Sequence, residues 1–162
     1  MIFRNAIPEE ANKITRLTLA SKRYWGYSEE WIAGWTEELT VHPEYIEKNM
    51  VVLAEEKTEL LGYISIIEHT QNQIVKVGEY SLSGGFFLDN LFIHPLHIRE
   101  GIGAKLTIIA LDWCKKRQIK MLHVYSDPNA KGFYEKMGAV CFGEIVSGSF
   151  GRPLPFLVFK IH

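Results

Sequence analysis

With 162 residues, 47% of them apolar and 23% charged, and a formal net charge of −1, the chain has the composition of one globular domain, expected to span residues 1–162. The near balance of charge disfavours a dedicated nucleic-acid binder, which needs a basic excess against phosphates. The two cysteines and six histidines follow no metal-binding spacing, and no apolar stretch reaches the roughly 18 residues of a membrane span. We therefore expect no metal, no membrane partner and a cytoplasmic location.

The first half of the chain predicts a strand, then helices, then a strand hairpin. Residues 1–4 form a short strand, and Pro8 opens a helix that runs to about residue 24. Ser28 is a suitable N-cap for a second helix that ends near residue 39. The next elements are a helical turn at 43–49, strands at 50–55 and 60–68 that pair as a hairpin, and an apolar strand at 86–93.

The second half alternates helices with strands. Apolar residues at helical spacing predict a helix over 101–117, which a strand at 120–125 follows. Asp127 caps a further helix with Pro128 at its first position, and strands follow at 139–146 and 154–161. The order predicts an α/β fold with a mixed, mostly antiparallel sheet of six to seven strands and about four flanking helices.

The segment that joins the strand at 86–93 to the following helix carries the first chemical signal. Gly101 and Gly103 stand where the helix begins, and glycine allows a tight turn and close approach of a ligand. The unpaired N–H groups and the dipole of a helix start favour a phosphate. A nucleotide P-loop requires Gly-Lys-Ser/Thr, but Ala104 follows the second glycine, and Leu106 replaces the third glycine of the dinucleotide fingerprint.

A second motif, over residues 126–138, follows the next strand at a specific distance. Together the two motifs resemble the GNAT superfamily of acyl-CoA-dependent N-acetyltransferases, closely over residues 86–146 and in element order over the whole chain. The resemblance rests on three segments: Leu91-Phe92-Ile93, Arg99-Glu100-Gly101-Ile102-Gly103-Ala104, and Ala130-x-x-Phe133-Tyr134-Glu135-Lys136-x-Gly138.

This resemblance implies that acetyl-CoA is the co-substrate and that central strands, about 87–93 and 120–125, splay to admit its pantetheine arm. Backbone groups of Leu91, Phe92 and Ile93 would pair with that arm. The chain departs from the family pattern at Ile98, where glutamine or arginine is usual, and Arg99 follows it. The residues implied to hold the pyrophosphate and the rest of the cofactor are Arg99, Glu100, Gly101, Ile102, Gly103, Ala104, Asn129 and Phe133.

The resemblance also implies that an amine attacks the thioester directly. Tyr134 matches the general acid of the family, although a tyrosine four residues after Ala130 also suits a helix core. Asp89 is the best carboxylate candidate for a base, ahead of Glu79 and Glu68, and a structural hydrogen bond is an equal alternative for Asp89. A backbone N–H near Leu91 or Ile93 would stabilise the oxyanion.

The acceptor amine, of a small molecule or a peptide, is the least specified part. Trp25 and Trp31 are candidates for binding it, with core packing as the alternative, and Arg152 would pair with an acceptor carboxylate unless it makes a loop salt bridge. Ser147 is a further candidate for this side. A homodimer is one possible assembly. The competing interpretations are a domain that binds acyl-CoA as a sensor or partner, and a nucleotide-binding α/β domain of another kind.

Overall fold

The computed structural model describes residues 1–147 and 151–162, and the Ser147 side chain lies outside the described part. Its seven strands form a sheet of order β1-β2-β3-β4-β5-β7-β6. The strands are β1 (Ile2–Asn5), β2 (Met50–Glu56), β3 (Glu59–Val77), β4 (Tyr80–Ile93), β5 (Met121–Tyr125), β6 (Val140–Ser147) and β7 (Arg152–Lys160).

Five α-helices occur in the described ranges, and the six-residue helix after the second is the addition to the expected four. The helices are α1 (Ala11–Tyr24), α2 (Glu29–Leu39), α3 (Pro43–Lys48), α4 (Ile102–Lys116) and α5 (Lys131–Lys136). Short 3₁₀ turns precede α1, α4 and α5, at Pro8–Glu10, Pro95–His97 and Pro128–Ala130. The expected mixed sheet with flanking helices is confirmed.

Local sequence signals account for the helix starts. The Ser28 hydroxyl accepts from the backbone N–H of Trp31 at 3.2 Å, which makes it the N-cap of α2. Asp127 accepts from the N–H of Asn129 at 2.9 Å and so starts the turn before α5. None of the helices in the described residues is both long enough and apolar enough to span a membrane.

By compactness the chain divides into two units, each made of two segments. Unit 1 comprises Met1–Ser65 and Asn90–Ile108, and unit 2 comprises Ile66–Asp89 and Ile109–His162. In unit 1, β1 pairs antiparallel with β2. Its core includes Ile14 and Leu17 of α1, Leu53 of β2 and Tyr63 of β3.

Unit 2 contains the strand pairs of the second half of the chain. β4 pairs parallel with β5, with Phe86–Leu88 opposite Leu122–Val124. β7 pairs antiparallel with both β5 and β6, and the β6 pairing shifts register at Cys141–Gly143. An aromatic core that includes Phe87 and Phe156 packs in this unit.

Candidate active site

The chain between β4 and α4 turns twice through left-handed backbone conformation. Arg99 has φ 70° and Gly101 has φ 80°. This conformation costs a residue with a side chain about 1–2 kcal/mol, whereas glycine adopts it readily. A Cβ at Gly101 would meet nothing within 4 Å, so backbone conformation, not space, favours glycine there.

α4 is anchored by its apolar face while its N-terminus stays at the surface. Ile102 and Leu106 are 1% and 0% exposed, whereas Arg99, Glu100 and Gly101 are exposed. The N–H of Lys105 donates to the carbonyl of Gly101 at 3.1 Å, which makes Gly101 the first acceptor of the helix. The N–H groups before Lys105 therefore have no helical acceptor, and with the helix dipole they suit an anion such as a pyrophosphate.

At the end of β4, the side chains of Phe92 and Ile93 pack against neighbouring residues of unit 1. The ring of Phe92 packs against Tyr63, with centroids 6.0 Å apart, and joins the core of unit 1. A Cβ at Gly62 would lie 2.7 Å from Ile93 Cδ1 and 2.9 Å from the Phe92 carbonyl oxygen, so only glycine lets β3 approach so closely. The Phe92 side chain is therefore engaged in packing within unit 1.

In unit 2, Tyr134 is a buried phenol on α5. It is 5% exposed, and its ring packs edge-on against Phe133 at 5.3 Å and Phe159 at 6.3 Å between centroids. Burial raises the pKa of Tyr134 far above that of a free tyrosine, and the charge of Asp127 raises it further. The hydroxyl is therefore protonated at neutral pH and can act as a donor, but not as a base.

Asp127 organises a second part of unit 2. One of its carboxylate oxygens accepts from the backbone N–H of Asn129 at 2.9 Å and from its side-chain amide at 3.0 Å. The other oxygen lies 3.4 Å from a guanidinium nitrogen of Arg152, whose side chain is 17% exposed. Arg152 thus makes an ion pair within its own unit, and an acceptor carboxylate would compete with Asp127 for it.

In unit 1, the aromatic rings of Tyr27, Trp31 and Trp35 form a cluster beside the ammonium group of Lys22. Tyr27 stacks on Trp31 at 6.0 Å and meets Trp35 edge-on at 5.1 Å. The ammonium of Lys22 lies 4.9 Å from the Tyr27 ring centre and 4.7 Å from that of Trp35. Trp25 is 46% exposed, whereas Trp35 is buried. The cation-binding faces of Tyr27 and Trp35 are therefore occupied by Lys22.

The three carboxylates considered as bases are all exposed. Asp89 lies on β4, Glu68 on β3 and Glu79 in the turn between these strands.

The predicted site residues fall in both units. Leu91, Phe92, Ile93, the loop 99–104, Trp25 and Trp31 belong to unit 1, and Asp89, Asn129, Phe133, Tyr134 and Arg152 belong to unit 2.

The sequence matches the family model of the acetyltransferase (GNAT) domain over residues 26–148. The chain belongs to the GNAT family. No curated protein sequence matches it.

Solved structures of GNAT proteins share the fold across nearly the whole chain. A GCN5-related N-acetyltransferase from Rhodopseudomonas palustris matches with a TM-score of 0.74 and 18% identity, over 98% of this chain and 94% of the other. The PaiA N-acetyltransferase of Thermoplasma acidophilum, in complex with coenzyme A, matches with 0.70 and 18% over 98% of each chain. A Brucella melitensis GNAT acetyltransferase in complex with acetyl-CoA gives 0.65 and 20%, over 99% of this chain and 88% of the other.

One polar network of this GNAT protein was not foreseen from its sequence. The Tyr45 hydroxyl lies 2.8 Å from the buried hydroxyl of Ser65. The Asn90 side-chain amide donates to both at 3.1 Å. The available signal was the presence of Ser65 and Asn90 within apolar strand segments, where a buried polar side chain needs partners. The network fixes the orientation of Asn90, the residue after Asp89.

Proposed function

We propose that this GNAT protein transfers the acetyl group of acetyl-CoA to a primary amine of a small molecule or peptide, in one ternary complex. The observation that carries the proposal is the start of α4. There a glycine-turned loop at the surface opens onto a helix of 15 residues whose apolar face is buried. This arrangement presents backbone N–H groups to a pyrophosphate, and membership of the GNAT family assigns that pyrophosphate to CoA.

The cofactor roles follow from which groups each segment exposes. Backbone N–H groups from Arg99 to Ala104 hold the pyrophosphate, and they do so whatever the side chain at Ile98. Backbone groups of Leu91, Phe92 and Ile93 pair with the pantetheine arm as a neighbouring strand would. Asn129 and Phe133 line the rest of the cofactor.

Attack by the amine places negative charge first on the carbonyl oxygen and then on the departing sulfur. A backbone N–H near Leu91 or Ile93 stabilises the oxygen. Tyr134 is the donor to the sulfur. Full proton transfer from a free phenol of pKa about 10 to a thiolate whose thiol has a pKa of about 8.5 is already uphill by about 2 kcal/mol, and the raised pKa of Tyr134 increases that cost. Tyr134 therefore acts mainly by hydrogen bonding to the developing thiolate.

Direct transfer also agrees with the burial of Cys114. Cys114 is fully buried, and burial raises the pKa of its thiol to about 11. A thiol in that state is a poor nucleophile, because the thiolate is the reactive form. This supports attack by the acceptor amine itself rather than an intermediate acetylated on Cys114.

The acceptor must lose a proton, since an alkyl ammonium has a pKa of about 10.4. Asp89 is our candidate base, directly or through a water, because its side chain is exposed on β4 and can pass the proton to solvent. An Asp89→Asn variant whose pH–rate profile matches that of the parent would remove this role.

On the acceptor side, Trp25 and Trp31 contact the apolar part of the amine. The exposed ring of Trp25 supports this role, whereas Tyr27 and Trp35 already contact the ammonium of Lys22. Arg152 binds an acceptor carboxylate only in competition with Asp127, which lies 3.4 Å away.

An acceptor screen tests the proposal against the sensor alternative. The protein is incubated with acetyl-CoA and a panel of amines that includes peptides, polyamines, amino acids and aminoglycosides, and free thiol is measured. We expect thiol release that depends on one class of amine. A protein that CoA protects against heat, but that releases no thiol with any amine, would be a binding module. Protection by ATP instead of CoA would exclude both the acetyltransferase and the acyl-CoA-binding module.

A further inference from the structure

Two histidines and a glutamate of unit 1 come together outside the residues assigned above. Glu59 begins β3, His94 directly follows β4, and His97 ends the 3₁₀ turn before the phosphate loop. One ligating atom from each of the three side chains lies within 4.8 Å of the other two. His97 Nε2 and Glu59 Oε1 are 3.6 Å apart.

Glu100 orients one of the two rings. Its carboxylate lies 2.9 Å from Nδ1 of His97, and the His97 side chain is only 22% exposed. A carboxylate on one ring nitrogen holds the proton there and turns the other nitrogen, with its lone pair, toward the cluster. Histidines that bind metals commonly have this partner on the nitrogen that does not bind.

The His94 ring already makes one contact with the backbone. Its Nδ1 accepts a hydrogen bond from the backbone N–H of Leu96 at 3.2 Å. A metal ion that binds this nitrogen must therefore displace that hydrogen bond.

The charges around the cluster favour a cation overall. Glu59 and Glu100 bring two negative charges, and the nearby ammonium of Lys13 is bound to Glu55 at 3.3 Å. Arg16 lines a cavity of about 210 Å³ together with His94 and weakens the attraction from that side.

We propose that Glu59, His94 and His97 bind a zinc ion, with water as the fourth ligand. Two imidazole nitrogens and one carboxylate form a donor set that zinc prefers, in tetrahedral geometry with bonds of about 2.0–2.2 Å. Such bonds set the ligand atoms about 3.3 Å apart, so the cluster must contract from separations of up to 4.8 Å. The Glu59 side chain, 57% exposed, has the freedom to make this movement.

The same contacts without a metal describe a protonated His97 between two carboxylates. The hydrogen bond that His97 donates to the Glu100 carboxylate raises the pKa of His97. The two states differ in what they bind. A cluster that only holds a proton on His97 does not bind zinc. A zinc site binds one ion, and binds it less tightly when any one of the three ligands is replaced.

The test is a titration of the untagged protein of residues 1–162 with Co²⁺, followed by visible absorbance, and with Zn²⁺, followed by calorimetry. We expect one saturating equivalent, with affinity lowered at least about tenfold in His97→Gln and in Glu59→Gln, and about tenfold in Glu100→Gln. His42→Gln is the matched control, because His42 also lies beside a glutamate, Glu37, at 3.5 Å, both side chains are exposed, and neither belongs to the proposed site. Its affinity should equal that of the parent.

Three results would overturn the site: no saturable binding, equal affinity in His97→Gln and the parent, or an equal loss in His42→Gln. Circular dichroism of each variant checks that the fold is retained. Because binding is read directly, the result does not depend on whether the protein transfers acetyl groups.

Discussion

Tyr134 is a phenol that the fold has removed from water. Its ring lies between Phe133 and Phe159, and burial raises its pKa. Replacement by phenylalanine keeps this packing and removes only the hydroxyl. We expect kcat for acetyl transfer to fall by about 10²–10³-fold, the usual loss when one preorganised hydrogen-bond donor to a developing negative charge is removed, with little change in KM for acetyl-CoA.

Steady-state kinetics with the best acceptor measure both constants. Tyr134→Leu is the structural comparison, since it disturbs the packing that Tyr134→Phe preserves. Turnover by Tyr134→Phe at the rate of the parent would leave Tyr134 as a core residue and remove it from the mechanism.

Arg4 joins two carboxylates of unit 1. Its guanidinium contacts Glu10 and Glu55 through four hydrogen bonds of 2.6–3.2 Å. Hydrogen bonding to Arg4 holds the pKa of both carboxyls below the usual range. Arg4→Met leaves the two charges without this partner, and we expect it to lower the free energy of unfolding by about 2 kcal/mol at pH 7.

The pH dependence of this loss follows from the lowered pKa values. The stabilisation is complete above the unfolded pKa, near 4.5, and disappears as pH falls through the lower folded values, because protonation then occurs in both states. The free energies of unfolding of the parent and of Arg4→Met, measured with urea, should therefore become equal in acid. Arg23→Met, which breaks an exposed pair with Glu29, should change stability by less than about 0.5 kcal/mol. A constant difference from pH 7 to pH 2 would contradict this account.

At the scale of elements, the loop that precedes α4 fixes where its first N–H groups point. Gly101→Ala would place a Cβ on a residue with φ 80° and so favour a different turn. We expect KM for acetyl-CoA to rise about tenfold or more. Gly78→Ala is the matched control, because Gly78 also has positive φ and open space at its Cβ but lies in the β3–β4 turn.

Both glycine variants should lose a similar small amount of stability, and only Gly101→Ala should weaken acetyl-CoA binding. Isothermal titration with CoA and steady-state kinetics measure the difference. Equal CoA affinity in the two variants would remove the loop from the binding site.

The sequence located those elements that begin or end with a local signal. Ser28 predicted the cap of α2. Asp127 with Pro128 predicted a helix start, which the structure has as a 3₁₀ turn at Pro128–Ala130 that leads into α5. The length of β3 was not predictable from 60–68 alone, since its continuation to Val77 is mostly exposed and polar and lacks a clear apolar alternation. Such a segment extends because β4 pairs with it, which is a tertiary effect.

In the candidate site, too, the sequence predicted what has a local signal and missed contacts that form only on folding. The loop that we propose to bind phosphate was predicted because glycines at a helix start are recognisable in the sequence. The network of Tyr45, Ser65 and Asn90 was not predicted, because polar residues in apolar strand segments indicate that partners are needed but not which residues supply them. Its members stand 20 to 45 positions apart and meet only in the folded protein. The contact of Lys22 with Tyr27 and Trp35 was missed because the aromatic pattern alone does not show which cation fills it.

At the scale of the whole molecule, three elements run from one unit into the other. The boundaries at Ser65, Asn90 and Ile108 fall inside β3, β4 and α4. Because one unit cannot unfold without breaking these elements, we propose that residues 1–162 unfold as a single domain. Calorimetry should give one transition with equal calorimetric and van't Hoff enthalpies. Two separate transitions would contradict this.

The central claim is that the acetyl group of acetyl-CoA moves to an amine. The most direct measurement follows acetyl-CoA labelled with ¹³C in the acetyl group, incubated with the protein and the responsive amine, by mass spectrometry of amine and protein. We predict one labelled acetyl group on the amine, an equal amount of free CoA and no label retained on the protein. Label that remains on the protein, or CoA that appears without acetylated amine, would contradict the claim.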